Sequence, residues 1–189
     1  MRSKKRSSVF LTLGFLFVFV GLGYWFNNYL ESQRAGKEAS EMLEQLEGHI
    51  ASRSNEIESK NLDLIDVNGM IGILSIPSKG IQLPVKTDYS LEAIKTAPAQ
   101  YRGEQEEFEN FVIAGHNYST HFRELKNMAV GDKIIFTDTY GKENSFSTVD
   151  ISTIAADDFE ALRSGNWDVA LFTCTLDSTR RIVVYGKLD

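Results

Sequence analysis

A single cysteine, Cys174, closes the apolar run Val169-Ala-Leu-Phe-Thr173 and precedes a polar turn. That position is a strand end at the rim of a sheet. A lone thiol has two uses. Buried, it behaves as a small apolar residue. Presented at a rim, it is a nucleophile, because its thiolate attacks carbonyl carbon. His116, in Val112-Ile-Ala-Gly-His116-Asn117, also follows an apolar run, behind a glycine that permits close backbone approach. It is a candidate general acid and base, with a surface-loop histidine as the plain alternative. Arg180 and Arg181 stand six and seven residues after the cysteine. If the flanking strands pair as a hairpin, Cys174 and Arg181 fall near opposite ends of one turn, within cross-strand reach. A guanidinium beside a thiol lowers the thiol pKa and donates hydrogen bonds to an oxyanion; an arginine beside a turn is otherwise a solvated rim charge. His121 and His49 have weaker claims, the first in a helical stretch beside Phe122 and the second in a charged helical segment.

Composition narrows the alternatives. The chain has 189 residues, 42% hydrophobic and 24% charged, which suits one packed domain with appendages. One cysteine excludes an intrachain disulfide and a cysteine-based zinc site, and there is no His-Glu-x-x-His pattern. The net charge is −6, which argues against nucleic acid as a partner. The charge is uneven. Arg2, Lys4, Lys5 and Arg6 put four positive charges before residue 9, so the rest of the chain carries −10.

Residues 9–26, VFLTLGFLFVFVGLGYWF, hold no charge. As a helix they span roughly 27 Å, close to a hydrocarbon core. Tyr24, Trp25 and Tyr29 mark the far end, where an aromatic belt belongs, and the basic flank orients the following residues outside the cell. A cleaved signal peptide is the competing reading, but the run ends in Tyr-Trp-Phe-Asn-Asn-Tyr-Leu with no small-residue cleavage pattern. The expected organisation is a basic tail over residues 1–8, a transmembrane anchor over 9–29, a helical spacer over 30–66 and a folded domain over 67–189. In the spacer, Ala35, Ala39, Met42, Leu46, Ile50 and Ile57 form one apolar stripe, weakened by Gly36 and Gly48. A coiled-coil dimer seam is the alternative use of that stripe.

The folded region must position the candidates. Apolar runs predict strands over 71–76, 81–86, 110–114, 133–137, 145–151, 169–173 and 182–185. Pro84 suggests an edge or bulge in the second. Short helices are predicted over 91–96, capped by Ser90, over 120–127, and from Asp157 to Leu162. Seven or eight short strands in about 120 residues suggest a mostly antiparallel sandwich or barrel.

Taken together, Ala114-Gly-His116, Thr173-Cys174 and Arg181 followed by Ile182-Val-Val-Tyr-Gly186 resemble the sortases, membrane-anchored cysteine transpeptidases of Gram-positive surfaces. Ile73-Leu-Ser-Ile-Pro77 with Ile81-Gln-Leu-Pro-Val85, and His121-Phe122, Leu125 and Gly131-Asp132-Lys133-Ile134, extend the resemblance over about residues 69–188. The first threonine of the family's Thr-Leu-x-Thr pattern is missing before the cysteine, whereas Thr173 is retained.

The resemblance implies a closed eight-stranded β-barrel with short helices. It implies Cys174 as nucleophile, His116 as proton carrier, Arg181 as oxyanion or substrate holder, and Thr173 as a substrate contact. The implied substrate is a Leu-Pro-x-Thr-Gly-like sorting signal of a surface protein. The implied acceptor is an amine of a peptidoglycan precursor or a pilin lysine. The implied location is the cell membrane, single-pass, with the catalytic domain extracellular. No cofactor is required, although some members use calcium. Glu104, Glu106, Glu107 and Glu109 are the acidic residues near the corresponding loop, but their spacing fits a solvated loop better than that site. Two rival functions are an L,D-transpeptidase-like cysteine enzyme, whose arginine would follow the cysteine almost directly, and a membrane-tethered binding domain with a structural thiol.

Overall fold

The computed structural model describes residues 2–53, 66–104, 109–163 and 165–189. Ile57, Glu106 and Glu107 lie outside these. The chain divides into two compact units, Met1–Arg34 and Ala35–Asp189.

The helix α1 (Arg2–Arg53) supplies all the described residues of the first unit. From Leu11 it is long and apolar enough to cross a membrane. Phe15, Phe17, Phe19 and Trp25 are exposed, and Trp25 stacks on Tyr29 at 6.0 Å between ring centroids. Such a surface suits lipid rather than water.

The second unit is a closed barrel of eight strands: β1 (Met70–Ile76), β2 (Ile81–Lys86), β3 (Ala99–Glu104), β4 (Glu109–Ala114), β5 (Lys133–Asp138), β6 (Glu143–Ala155), β7 (Val169–Cys174) and β8 (Arg180–Leu188). Around the barrel the order is β1-β2-β3-β4-β7-β8-β6-β5. The pairs β2·β3 and β4·β7 are parallel and the rest antiparallel. Closure removes the free edges that an open sheet of this size would expose. Pro84 tolerates this setting because β2 meets β3 at one position only, Lys86 with Ala99, so the missing N–H falls where no ladder needs it. In the β2–β3 connection the Ser90 hydroxyl accepts the Ala93 N–H at 2.9 Å and starts the short helix α2 (Ala93–Thr96).

Alternation along β4 and β7 sorts side chains to two faces. Phe111, Ile113, Val169 and Leu171 join Phe136 and Phe146 in the barrel interior. Val112, Ala114, Ala170 and Phe172 face outward into a second apolar cluster with Ile94 of α2 and Leu162 and Trp167 of the β6–β7 connection. Burial on both faces explains why these two strands read as continuous apolar runs. The helical turn Phe122–Asn127 tucks Phe122 and Leu125 into the interior cluster, both fully buried.

The stripe on α1 has a partner in this unit. Ala39 joins the interior cluster, and Met42, Leu43, Leu46 and Ile50 pack with Val67, Met70 and Ile73. Leu46 is fully buried, a contribution of about 1.5–3 kcal/mol for a side chain of this size. The Gln82 amide donates to the Glu47 carboxylate at 2.9 Å across the same contact.

Candidate active site

The hairpin of β7 and β8 places two of the candidates directly opposite one another: Cys174 pairs with Arg181. Its turn is tightly tied. The Thr175 N–H donates to the Arg180 carbonyl at 2.9 Å, and the Arg180 N–H donates to the Thr175 hydroxyl oxygen at 3.1 Å. Asp177 accepts from the Thr175 hydroxyl at 2.5 Å and from the Thr179 hydroxyl at 2.8 Å. These bonds hold the Asp177 carboxyl at a pKa of about 2, the Thr175 hydroxyl contributing most. Ser178 takes the left-handed conformation, φ 58°, at the tip. The result is a fixed register for the last residue of β7.

His116 arrives from the other side. The parallel pairing of β4 with β7 sets Ala114 beside Phe172, and the Gly115 N–H donates to the Phe172 carbonyl at 3.0 Å. His116 follows two residues after the last β4 pair and Cys174 two residues after its partner on β7. A Cβ at Gly115 would overlap the Phe122 ring, so glycine is required where the chain turns out of β4 toward the histidine.

Cys174 is exposed. Arg181 is half-buried, its guanidinium 5.0 Å from the Phe159 ring centroid and 5.3 Å from that of Phe172. Its Nε and Nη1 are buried and make no hydrogen bond among the described residues. Buried donors of a permanent cation without an acceptor are costly, and an anion or a developing oxyanion is the natural group to complete them. Arg180 diverges: it is exposed and donates to the Thr153 carbonyl at 3.0 Å. Thr173 alternates to the opposite face from Cys174 and is 1% exposed. His49 lies on the α1 segment, away from the three strand ends.

An aromatic wall flanks the thiol, and its members carry no short-range sequence pattern. Tyr89 meets Tyr101 edge-on at 4.9 Å, and Tyr101 meets Phe172 at 5.1 Å. Burial raises the Tyr89 phenol above its ordinary range. The Arg181 charge opposes this, while Tyr101 and Cys174 add to it. Tyr101, Arg102, Phe159, Leu162 and Arg163 line an adjoining pocket of about 580 Å³. Strand β3 and the β6–β7 connection form it. No group of three or more metal-ligating side chains occurs among the described residues.

His121 sits behind the site, 1% exposed. The Ala35 and Ile94 carbonyls face its ring, yet neither nitrogen makes a hydrogen bond of good geometry among the described residues. Burial lowers its pKa from 6.5 to about 4, the Ala35 carbonyl opposes this, and His116 adds to it. A histidine lowered on folding binds more protons in the unfolded chain between those values. The folded state therefore loses up to about 3 kcal/mol as pH falls from 6.5 to 4. Urea unfolding at pH 7.5 and pH 4.5 should show this fall, and His121→Gln should flatten it. An equal pH dependence in both chains would exclude His121 as its source.

The closed eight-stranded barrel carries Cys174 and Arg181 at the facing ends of β7 and β8, with His116 just beyond the end of β4. The Sortase domain model matches residues 74–189, more than half of the chain. The chain belongs to the sortase family, whose members are cysteine transpeptidases. No curated protein sequence matches it. Similar solved structures are also sortases. The sortase D5 transpeptidase of Clostridium perfringens is 21% identical with a TM-score of 0.64, covering 81% of this chain and 99% of that one. Sortase C1 of Streptococcus agalactiae is 23% identical with a TM-score of 0.59, covering 80% and 90%. Clostridium perfringens sortase C, solved with the C-terminal cell wall sorting motif, is 20% identical with a TM-score of 0.58, covering 79% and 90%.

Proposed function

We propose that the chain is a membrane-anchored sortase that cleaves a Leu-Pro-x-Thr-Gly-like sorting signal and transfers the acyl fragment to an amine. The observation that carries this reading is the register that sets Cys174 opposite Arg181, with the end of β4 that leads to His116 paired alongside β7.

The Cys174 thiolate attacks the carbonyl carbon of the Thr-Gly bond. The Arg181 guanidinium, with its two unpaired buried donors, takes the oxyanion that forms. The His116 imidazolium gives its proton to the leaving glycine nitrogen, the C–N bond breaks, and a thioester on Cys174 remains. An incoming amine attacks the thioester, His116 takes the amine's proton, and the thiolate leaves. Thr173, buried on the other face, contacts no substrate in this scheme.

The pocket lined by Tyr101, Phe159 and Leu162 receives the apolar residues ahead of the scissile bond. The C. perfringens sortase C solved with a sorting motif supports a signal of this kind. The acceptor is the amine of a peptidoglycan precursor or a pilin lysine. The basic tail (1–8) stays cytoplasmic, the anchor (9–29) spans the membrane, and the barrel acts outside the cell.

The test is mass spectrometry of products formed by the full chain in detergent from a sorting-signal peptide library and an amine acceptor. The expected product is a peptide joined to the amine after threonine. Products cut elsewhere, or none from any library member, would contradict the reading.

A further inference from the structure

We propose that Tyr118 is a positioning residue for the transfer reaction: its ring, stacked on the His116 imidazole, holds that ring in place and favours its protonated form. This rests on the assignment of His116 as the proton carrier.

The two rings lie 3.8 Å apart between centroids, with 29° between their planes. Tyr118 is only 2% exposed, whereas His116 is half-buried with its Nδ1 buried, so one face of the imidazole is covered and the ring is only partly open to solvent. The loop cannot easily swing the pair apart. The Tyr118 carbonyl accepts the His121 and Arg123 N–H groups at 3.1 and 3.2 Å. The His116 carbonyl accepts the Phe122 N–H at 3.2 Å, and Arg123 Nη2 donates to the Asn117 carbonyl at 3.3 Å. Phe122 in turn is locked into the barrel interior. Tyr118 is thus fixed against the core and serves as a floor for the imidazole.

An aromatic face carries negative charge density and attracts a cation laid over it. An imidazolium on that face is favoured over the neutral ring, and the reaction needs the imidazolium beside a thiolate. The charged and titratable groups near His116 are Cys174 and Arg181, at the facing ends of β7 and β8, Arg123, whose Nη2 donates to the neighbouring Asn117 carbonyl, and His121, whose ring lies 5.6 Å from that of Tyr118 on the loop itself. The thiolate favours the imidazolium, and Arg181 and Arg123 oppose it. His121 is neutral above pH 5, because its pKa is about 4. Tyr118 therefore adds to the effect of Cys174.

The experiment compares the full chain in detergent with Tyr118→Phe, Tyr118→Leu, the volume-keeping Tyr118→Met and His116→Ala. Thermal melting confirms that each folds. Turnover of a Leu-Pro-x-Thr-Gly peptide and the rate of iodoacetamide alkylation of Cys174 are followed against pH. In Tyr118→Leu and Tyr118→Met, kcat should fall roughly 10- to 100-fold with KM within about two-fold. The alkaline limb of the turnover profile should move down by roughly half to one pH unit, and the onset of alkylation, which follows thiolate formation, should move up in pH. Tyr118→Phe should stay within about three-fold with its limb unmoved. Folded Leu and Met variants with unshifted limbs would overturn the proposal, as would a Phe variant as impaired as they are. If His116→Ala kept normal turnover, the assignment of His116 itself would fall, and this proposal with it.

Discussion

Arg181→Ala is expected to cut turnover by roughly 10²–10³-fold, the scale of losing one oxyanion donor. The guanidinium sits across the hairpin from Cys174, held between the rings of Phe159 and Phe172, with Nε and Nη1 buried and unbonded. Arg181→Lys should recover little, because an ammonium reproduces neither the planar fork nor its stacking on two rings. Arg180→Ala is the control. Its side chain is exposed and bonded to the Thr153 carbonyl on β6, so turnover should stay within a few-fold of the parent. Melting temperatures must be matched, because the Arg181 stem also packs on the wall. A crippled Arg180→Ala beside a near-normal Arg181→Ala would move the role to Arg180.

Strand alternation showed that the two neighbouring arginines could not both face Cys174, and the resemblance to the sortase pattern, with its arginine just before an apolar run ending in glycine, selected Arg181. The apolar runs that became β1, β2, β4, β5 and β7 were legible in the sequence. β3 was not: Ala99–Glu104, AQYRGE, has neither a long apolar run nor clean alternation. Its place is fixed by antiparallel pairing with β4 and the outward cluster around Ala99. The aromatic wall was hidden because Tyr89, Tyr101, Phe159 and Phe172 come from four separate segments that only the barrel brings together. His121 was passed over because its helical neighbourhood said nothing of the Ala35 and Ile94 carbonyls that close over it. The stripe on α1 could be read as a face, but what it covers could not. Its partners Val67, Met70 and Ile73 lie beyond a stretch with no periodicity.

That contact carries the second large effect. A chain beginning at residue 30 should keep the barrel's melting temperature, whereas one beginning at residue 66 should lose most of its stability. The second deletion removes Ala35, Ala39 and Leu46, at 4%, 1% and 0% exposure, and uncovers Met70 and Ile73, at 1% and 5%. Two to four medium-sized apolar side chains at about 1.5–3 kcal/mol each amount to roughly 3–12 kcal/mol. That is comparable to the whole stability of an ordinary domain. It also opens the face over His121, so the loop carrying His116 should lose its backing before the barrel unfolds. Thermal and urea unfolding of the two chains check this. Equal transitions would mean that the helical segment only spaces the barrel from the membrane.

The central claim is that Cys174 carries the acyl group. The direct measurement is intact-protein mass spectrometry of the full chain in detergent, mixed with a Leu-Pro-x-Thr-Gly peptide in the absence of an amine acceptor and quenched in acid. The account predicts a mass increase equal to the peptide up to its threonine, released by hydroxylamine and absent in Cys174→Ala. Turnover of the peptide by Cys174→Ala at the parent rate, or an adduct mapped to any other residue, would contradict it.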